Sequence, residues 1–192
     1  MHNCSLIIFI SCLIILGDDC VAEENLFILD NNDTTTSQTG QSSAWNLVTD
    51  TVMGGVSKGS LVEDNVMGRP CQRLSGQVSL ENNGGFIQAA IDLSTGEEFD
   101  ASGYTGMFVD VYGNNESYNI HLRTSEIQKP WQSYRLSFTP KQEWQTFEFM
   151  FSDFKSHRID TPLDTSKLTR IGIVGIGRAF YADLCIGRIG FY

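Results

Sequence analysis

Apolar and polar residues alternate along several short segments of the chain. In residues 106–112, Met107, Val109 and Val111 take every second position, and three phenylalanines do the same in 145–151. This two-residue period is typical of a β-strand with one apolar face. Segments with strand character, each bounded by Gly, Pro, Asn, Asp or Ser, occupy residues 73–80, 86–93, 106–112, 118–123, 133–138, 145–151, 170–176 and 180–192.

The pattern predicts an all-β fold. No long stretch has the 3.6-residue period of an amphipathic helix. About eight strands in two antiparallel sheets would form a jelly-roll β-sandwich, because that arrangement leaves few exposed sheet edges. Residues 171–176 have hardly any polar members and are expected to be covered on both faces. Periodicity alone leaves the order of the strands open.

The first residues have the pattern of an export signal. Residues 5–16, SLIIFISCLIIL, match the length of a signal-peptide apolar core, and Cys20 and Ala22 place small residues before a cleavage site at Glu23. The alternative is a leader that stays attached as a membrane anchor. A mitochondrial presequence is unlike this leader, since it would be rich in arginine and amphipathic. We therefore expect an exported protein, periplasmic or extracellular.

Three parts follow from this pattern. We predict a signal peptide over 1–22, a flexible linker over 23–43, and a β-sandwich domain over 44–192. The linker contains DNNDTTTSQTGQSS, a polar run without apolar periodicity. The length of 192 residues fits one domain of ordinary size.

The charge of the chain is acidic. The formal net charge is −10, and loss of Asp18 and Asp19 with the leader leaves 13 basic against 21 acidic residues, or −8. Nucleic acids and anionic membranes require a basic surface, so neither is an expected partner. No membrane span is expected once the leader is removed.

Two cysteines remain after processing. Cys4, Cys12 and Cys20 leave with the leader, whereas Cys71 and Cys185 stay in the domain. Export makes a disulfide between them possible, and two separately buried thiols are the equal alternative.

The chain lacks a recognisable catalytic or metal-binding constellation. The histidines form no His-x-x-x-His pair, no Cys-x-x-Cys occurs, and no Gly-x-Ser-x-Gly elbow is predicted to present a nucleophilic serine. The glycine-rich runs lack the spacing of dinucleotide or phosphate loops. We predict no enzyme activity, no metal and no cofactor.

The stretch SLENNGGFIQ carries the first candidate binding residues. Asn82 and Asn83 are poor strand formers, and Gly84 and Gly85 permit a tight turn between two strands. Polar side chains on such a turn can bind a ligand. They can equally satisfy nearby backbone groups, which is a structural role.

Aromatic and basic residues supply further candidates. Trp131 and Tyr134 lie in KPWQSY, where an apolar ring with a polar group could stack on a sugar or anchor a protein interface; packing in the core or at its rim is the alternative. Arg123 ends a predicted strand. Its guanidinium could bind a carboxylate or a glycan hydroxyl, or form a structural ion pair with Asp50 or Glu81.

Several segments together resemble a known family. Residues 45–57, WNLVTDTVMGGVS, and 74–86, LSGQVSLENNGGF, are similar to the two signature blocks of the complex I intermediate-associated protein 30 family. Residues 122–124, 144–154 and 171–192 fit in the same order, so the resemblance covers about 45–192. It implies a galactose-binding-domain-like jelly roll and a non-catalytic role. The best-known members assist assembly of respiratory complex I in mitochondria, and others are bacterial or plastid proteins.

Two functions follow as hypotheses. The first, from the resemblance, is an exported protein-binding or assembly-assisting module of chaperone-like type. The alternative is a glycan-binding module of the galactose-binding-domain-like type. We expect Asp50, Asn82, Asn83 and Arg123 to converge on one polar site, with Trp131 and Tyr134 nearby.

Overall fold

The structure is a computed structural model that describes residues 26–32, 45–94 and 96–192. The predicted signal peptide lies outside these residues. Strands and short 3₁₀ turns make up the regular structure of the described part, which contains no α-helix. The strands are β1 Phe27–Asp30, β2 Trp45–Thr49, β3 Lys58–Val66, β4 Arg69–Val78, β5 Phe86–Asp92, β6 Gly106–Tyr112, β7 Tyr118–Thr124, β8 Ser133–Phe138, β9 Trp144–Met150, β10 Lys155–His157, β11 Leu168–Ile176 and β12 Phe180–Phe191. The 3₁₀ turns are Asp50–Met53, Glu81–Asn83, Phe151–Asp153 and Thr165–Lys167.

The strands form two antiparallel sheets that pack face to face. Sheet A has the order β3-β4-β12-β6-β9, and β1 pairs with the last residues of β12. Sheet B has the order β10-β8-β7-β11-β5-β2. Alternate residues of both sheets point into a shared core, which includes Leu74, Ile87, Val109, Ile120, Ile171 and Leu184. The predicted jelly-roll β-sandwich is therefore confirmed.

The prediction of about eight strands omitted β1, β2, β3 and β10. Each of the eight predicted segments corresponds to one of the other strands. Among the four omitted ones, β2, β3 and β10 are edge strands of their sheets, and β1 pairs only with the end of β12. An edge strand buries fewer side chains than a central one, so its sequence need not alternate cleanly.

Strand β1 lies inside the segment predicted as a flexible linker over 23–43. The Phe27 ring lies 5.5 Å from that of Phe99 and 6.3 Å from that of Phe191, measured between centroids. Trp45 Nε1 also donates a hydrogen bond to Asp30 Oδ2. Residues 27–30 therefore belong to the folded part, contrary to a domain start at 44, because apolar side chains ahead of the polar run join the core; residues 33–43 of the predicted linker lie outside the described residues.

A disulfide joins Cys71 of β4 to Cys185 of β12. These strands are neighbours in sheet A, and the two Cα atoms are 5.5 Å apart across a sequence separation of 114 residues. The pairing that the sequence left open is thus present in the structure. Among the described residues, no helix has the length and apolar character needed to cross a membrane.

Candidate functional site

Asp50 is a buried carboxylate that joins two loops. It follows β2 and is completely shielded from solvent. Oδ1 accepts a hydrogen bond from Ser57 N at 2.9 Å, while Oδ2 accepts from the Ser57 hydroxyl, from Gly85 N at 2.6 Å and from Phe86 N at 3.3 Å. Burial alone would raise the pKa of Asp50, but these hydrogen bonds outweigh it and lower the pKa below its ordinary value. Asp50 therefore has a structural role and is inaccessible to a ligand, contrary to its prediction as a binding residue.

The two Gly-Gly pairs of the signature blocks are explained by this carboxylate. A Cβ on Gly55 or on Gly84 would overlap the Asp50 side chain. The other glycine of each pair has a positive φ, +89° at Gly54 and +134° at Gly85, which L residues rarely adopt. Each pair thus supplies one residue for close approach and one for the turn.

Ser57 takes part in the same arrangement. Residues 55–59 read G-V-S-K-G, which has the letters of a Gly-x-Ser-x-Gly nucleophile motif. Ser57 is only 2 % exposed, its hydroxyl donates to Asp50, and a β-strand follows it instead of a helix. The Ser57 hydroxyl also accepts a hydrogen bond from Ser79 N at 2.9 Å, so Ser57 also joins the two loops. Sequence reasoning missed that Asp50 and Ser57 join the two loops.

Exposed apolar side chains lie on the two loops that Asp50 and Ser57 join. Val52, Met53 and Val56 are 73 %, 62 % and 38 % exposed on the first loop, and Leu80 is 52 % exposed on the second. We call these four residues the signature-loop surface. Exposed apolar side chains on two loops that are joined to each other can form a contact surface.

Asn82 and Asn83 belong to the second of these loops. Both are exposed and have positive φ values of 55° and 57°, a conformation that asparagine tolerates better than most residues. The asparagines therefore shape the turn, and their side chains face solvent beside the signature-loop surface.

Arg123 lies at the opposite end of sheet B from Asp50. It pairs in register with Arg170, and Arg170 pairs with Asp92 at the far end of β5. Asp50 binds the amide of Phe86 at the near end of β5, so about six residues of extended strand, or roughly 20 Å, separate the two ends. The prediction that Arg123 converges with Asp50, Asn82 and Asn83 on one polar site is therefore wrong. A sequence motif does not reveal at which end of the sheet its residues lie.

Tyr134 and Trp131 have different environments. Tyr134 is fully buried, and its hydroxyl donates to Thr161 O at 3.0 Å and lies 3.1 Å from Pro162 O, so it offers no platform to a ligand. Trp131 is 49 % exposed in the loop between β7 and β8. The prediction of an apolar platform is therefore wrong for Tyr134 and stays open for Trp131.

Arg123 and Trp131 do lie near each other. Arg123 Nη1 donates to Pro130 O at 3.0 Å and to Gln132 O at 3.2 Å, the carbonyls on either side of Trp131. Arg135 of β8 extends this region, since its Nη2 lies 3.5 Å from Trp131 O. The geometry thus unites part of the predicted set around the β7–β8 loop.

The face of sheet B turned away from the core carries polar residues, and we call it the outer face. In β7, Tyr118, Ile120 and Leu122 belong to the core, so Asn119, His121 and Arg123 occupy the outer face. His121 lies between Arg135 of β8 and Gly172 of β11. The remaining polar residues that register places on this face include Gln88, Asp92, Ser137, Lys155, His157 and Arg170.

One corner of the outer face has an excess of positive charge. We call Arg123, Arg135, His121 and His157, together with Arg158 directly after β10, the cationic corner; the charge of Arg158 acts on both Arg135 and His157. No ion pair among the described residues involves any of its three arginines. Burial is the main cause, and the charge of Arg135 the next, that lowers the pKa of His121 to about 3. Burial also lowers the pKa of Arg123. Within residues 26–32, 45–94 and 96–192, no three His, Cys, Asp or Glu residues are grouped to hold a metal ion.

Comparison with solved structures identifies the class of fold. The family 11 carbohydrate-binding module of a cellulosomal cellulase from Clostridium thermocellum aligns with a TM-score of 0.66 and 15 % identity, covering 86 % of this chain and 93 % of that one. The same family's module in complex with a β-1,3-1,4-mixed-linked tetrasaccharide gives 0.65 and 16 %, covering 85 % and 93 %. A family 30 module from another cellulosomal cellulase of that organism gives 0.55 and 17 %, covering 71 % and 89 %. The chain thus has the β-sandwich fold of these modules.

The family is identified by sequence. The sequence model of the Complex I intermediate-associated protein 30 family matches residues 33–184, and the chain belongs to this family. The match includes both signature blocks and the loops that Asp50 joins. Among curated proteins, none matches the chain.

Proposed function

We propose that this protein is an exported, non-catalytic binding module that associates with a protein partner through the signature-loop surface. The observation that carries the proposal is the pair of loops held by Asp50, with Val52, Met53, Val56 and Leu80 exposed on them. The family description, which names association with an intermediate of complex I, supports a role in binding another protein. The apolar leader with small residues at its end supports export.

The rigidity of the loops favours binding. Loops already held by internal hydrogen bonds lose little conformational entropy when a partner docks, so more of the contact energy appears as affinity. Apolar side chains such as Met53 adapt to the shape of the opposing surface. We therefore expect a partner with an apolar surface of its own.

The test compares two variants that change exposed apolar residues at different places. Val52→Ser/Met53→Ser removes the apolar groups from the first signature loop. Met67→Ser is the matched control, because Met67 is 80 % exposed in the β3–β4 turn, outside both signature loops. A protein recovered with the wild type should be purified and its binding to all three proteins measured by calorimetry.

We expect the double variant to lose at least about tenfold in affinity, whereas Met67→Ser binds like the wild type. Equal binding by all three proteins would exclude the signature loops as the contact surface. Thermal unfolding of each variant, measured in parallel, checks that the fold is intact.

A second candidate function is glycan binding on the outer face of sheet B. It is favoured by Trp131, an exposed ring beside Arg123, together with the amide and hydroxyl groups of Asn119, Gln88 and Ser137 on the same face. Such a combination suits stacking on a sugar ring and hydrogen bonding to its hydroxyls. The similarity in fold to carbohydrate-binding modules supports the same candidate.

A glycan array probed with wild type, Trp131→Ala and Tyr181→Ala tests this function. Tyr181 is 58 % exposed on β12 of the other sheet and serves as the control. Selective retention that is lost only in Trp131→Ala supports glycan binding at this face. Retention that persists in Trp131→Ala, or that fails in every protein, counts against it.

A further inference from the structure

We infer that the cationic corner is a subsite for an anionic group, and that its ligand is a saccharide bearing carboxylate or sulfate groups. This inference rests on the glycan-binding candidate and specifies the class of its ligand. It is independent of the signature-loop surface at the other end of sheet B.

The arginines of the described residues divide into two groups. Five of them form ion pairs with carboxylates: Arg69, Arg73, Arg170, Arg178 and Arg188. The other three, Arg123, Arg135 and Arg158, have no carboxylate partner within the described ranges, although the chain has a net charge of −10. In so acidic a protein, three unpaired arginines at one corner form a local excess of positive charge that an anion would balance.

Sheet A shows how the chain neutralises arginines elsewhere. Asp110 is 1 % exposed, and its Oδ2 accepts from Arg69 at 2.8 Å and from Arg188 at 2.7 Å. On the outer face of sheet B, Arg123 and Arg135 donate instead to carbonyls and to a serine hydroxyl. Both arginines are half-buried, so their charge is partly removed from water without a counter-ion. A bound anion would supply the missing negative charge.

His121 is an independent indication of a ligand. Its side chain lies between Arg135 and Gly172 and is only 9 % exposed, yet Nε2 has no hydrogen-bond partner among the described residues. Buried polar atoms nearly always have one. Burial and the neighbouring cations keep the imidazole neutral, and Nε2 is itself shielded from solvent, so a ligand oxygen can pair with it only once the surrounding side chains move.

The surroundings of the corner favour a saccharide over a simple anion. Asn119 and Ser137 are hydrogen-bonded to each other next to the arginines, and the Gln88 amide covers Gly172, where a Cβ would lie 2.6 Å from Nε2 of Gln88. These neutral groups can form hydrogen bonds with the sugar hydroxyls of an extended ligand. Trp131 adds an exposed ring for stacking at the rim.

The first experiment needs no variant. Binding of the wild-type protein is measured by calorimetry with four probes: an oligogalacturonate, a sulfated galactan oligosaccharide, an uncharged β-1,3-1,4-glucan oligosaccharide and polyglutamate. We expect one or both acidic saccharides to bind at least about tenfold more tightly than the glucan. Their affinity should fall as the salt concentration rises, because screening weakens the ionic contacts. The two acidic saccharides distinguish a carboxylate from a sulfate ligand.

The second experiment locates the site. Arg123→Gln/Arg135→Gln should lose at least about tenfold in affinity for the acidic saccharide, since two charge-assisted contacts disappear. Lys141→Gln removes a positive charge from the β8–β9 loop, where its side chain is 68 % exposed, and should leave the affinity unchanged. If the double variant fails to fold, as judged by circular dichroism, His121→Asn replaces it with the same expected direction.

The outcomes separate this inference from the function on which it rests. Equal binding of the neutral glucan would overturn the anionic subsite and leave glycan binding intact. Equal binding of polyglutamate would overturn the saccharide as the ligand class. If no saccharide binds, both the inference and the glycan-binding candidate fall, whereas the proposal of a protein partner at the signature loops is unaffected.

Discussion

Asp50 and His121 are both buried ionisable residues, but their surroundings differ. Asp50 accepts four hydrogen bonds that stabilise its charged form. His121 has cations on its neighbouring strand and no partner for Nε2 among the described residues, so its neutral form is favoured. Asp50 thus joins two loops, whereas His121 keeps a buried hydrogen-bonding atom without a partner. Single substitutions can separate these roles.

Asp50→Asn should lower the free energy of unfolding by roughly 3 kcal/mol. The amide keeps the shape of the side chain, but its NH2 group cannot accept the hydrogen bonds that one carboxylate oxygen now accepts, so buried donors lose their partner. Urea denaturation followed by tryptophan fluorescence measures the change. Asp160→Asn, at an exposed carboxylate, is the control and should have little effect. Equal stability of both variants would contradict the structural role of Asp50.

His121→Asn should reduce the pH dependence of stability in mildly acidic solution. The pKa of His121 is lowered from 6.5 to about 3, so below pH 6.5 the unfolded chain binds a proton that the folded protein does not. Stability from the neutral imidazole is therefore complete above pH 6.5 and decreases as the pH falls toward 3. Its slope is at most about 1.4 kcal/mol per pH unit.

Unfolding of wild type and variant between pH 7 and pH 4 provides the measurement. His157→Asn is the comparison, because burial and Arg135 lower the pKa of His157 as well. The loss of slope should be larger for His121→Asn. A variant whose stability changes with pH as steeply as that of the wild type would refute a buried, neutral His121.

At the scale of elements, three of the four edge strands have no clear pattern in the sequence, whereas the fourth, β9, alternates and was predicted. Central strands such as β6 and β11 bury long apolar stretches, and their segments were predicted nearly to the residue. Strands β1, β2, β3 and β10 form edges or short extensions and bury less. Whether such a segment becomes a strand depends on its pairing with a neighbouring strand, and periodicity does not reveal that pairing.

Phe27→Ala tests whether β1 belongs to the folded domain. The Phe27 ring packs against Phe99, Tyr104 and Phe191, so its removal should lower the free energy of unfolding by roughly 2 kcal/mol. Leu26→Ala is the matched control, because Leu26 precedes the strand and is 54 % exposed. Denaturant unfolding compares the two. If Phe27→Ala is no more destabilising than Leu26→Ala, the segment would behave as the linker that the sequence indicated.

At the scale of the whole molecule, two candidate surfaces lie at opposite ends of sheet B. The signature-loop surface is apolar, and the cationic corner is polar and charged. Because the length of a strand separates the two surfaces, a ligand bound at one surface can leave the other surface uncovered. The disulfide between β4 and β12 lies in sheet A, so it stabilises the fold without contributing to either surface.

Removal of the disulfide should lower the free energy of unfolding by about 2 to 4 kcal/mol, because Cys71 and Cys185 close a long loop that restricts the unfolded chain. Cys71→Ala/Cys185→Ala and the oxidised wild type are compared by denaturant unfolding. Titration of thiols in the denatured, unreduced domain should find none. Two free thiols in that sample would contradict the pairing.

Local patterns in the sequence determined much of this protein. Alternation in segments such as 106–112 specified strands, and the lack of helical periodicity specified an all-β sandwich. The signature blocks, with their Gly-Gly pairs, identified the family. These features depend on neighbouring residues, so one sequence is sufficient to read them.

Tertiary structure alone decided which residues meet. Asp50 binds Gly85 across 35 positions of sequence, whereas Arg123 lies at the other end of the same sheet. Tyr134 and Trp131 are three positions apart, yet one is buried and the other exposed. The cationic corner forms because the register of β7 and β8 places Arg135 beside His121, and the sequence does not show that these two strands pair. Strand order and register depend on packing of the whole core, and local periodicity carries no information about them.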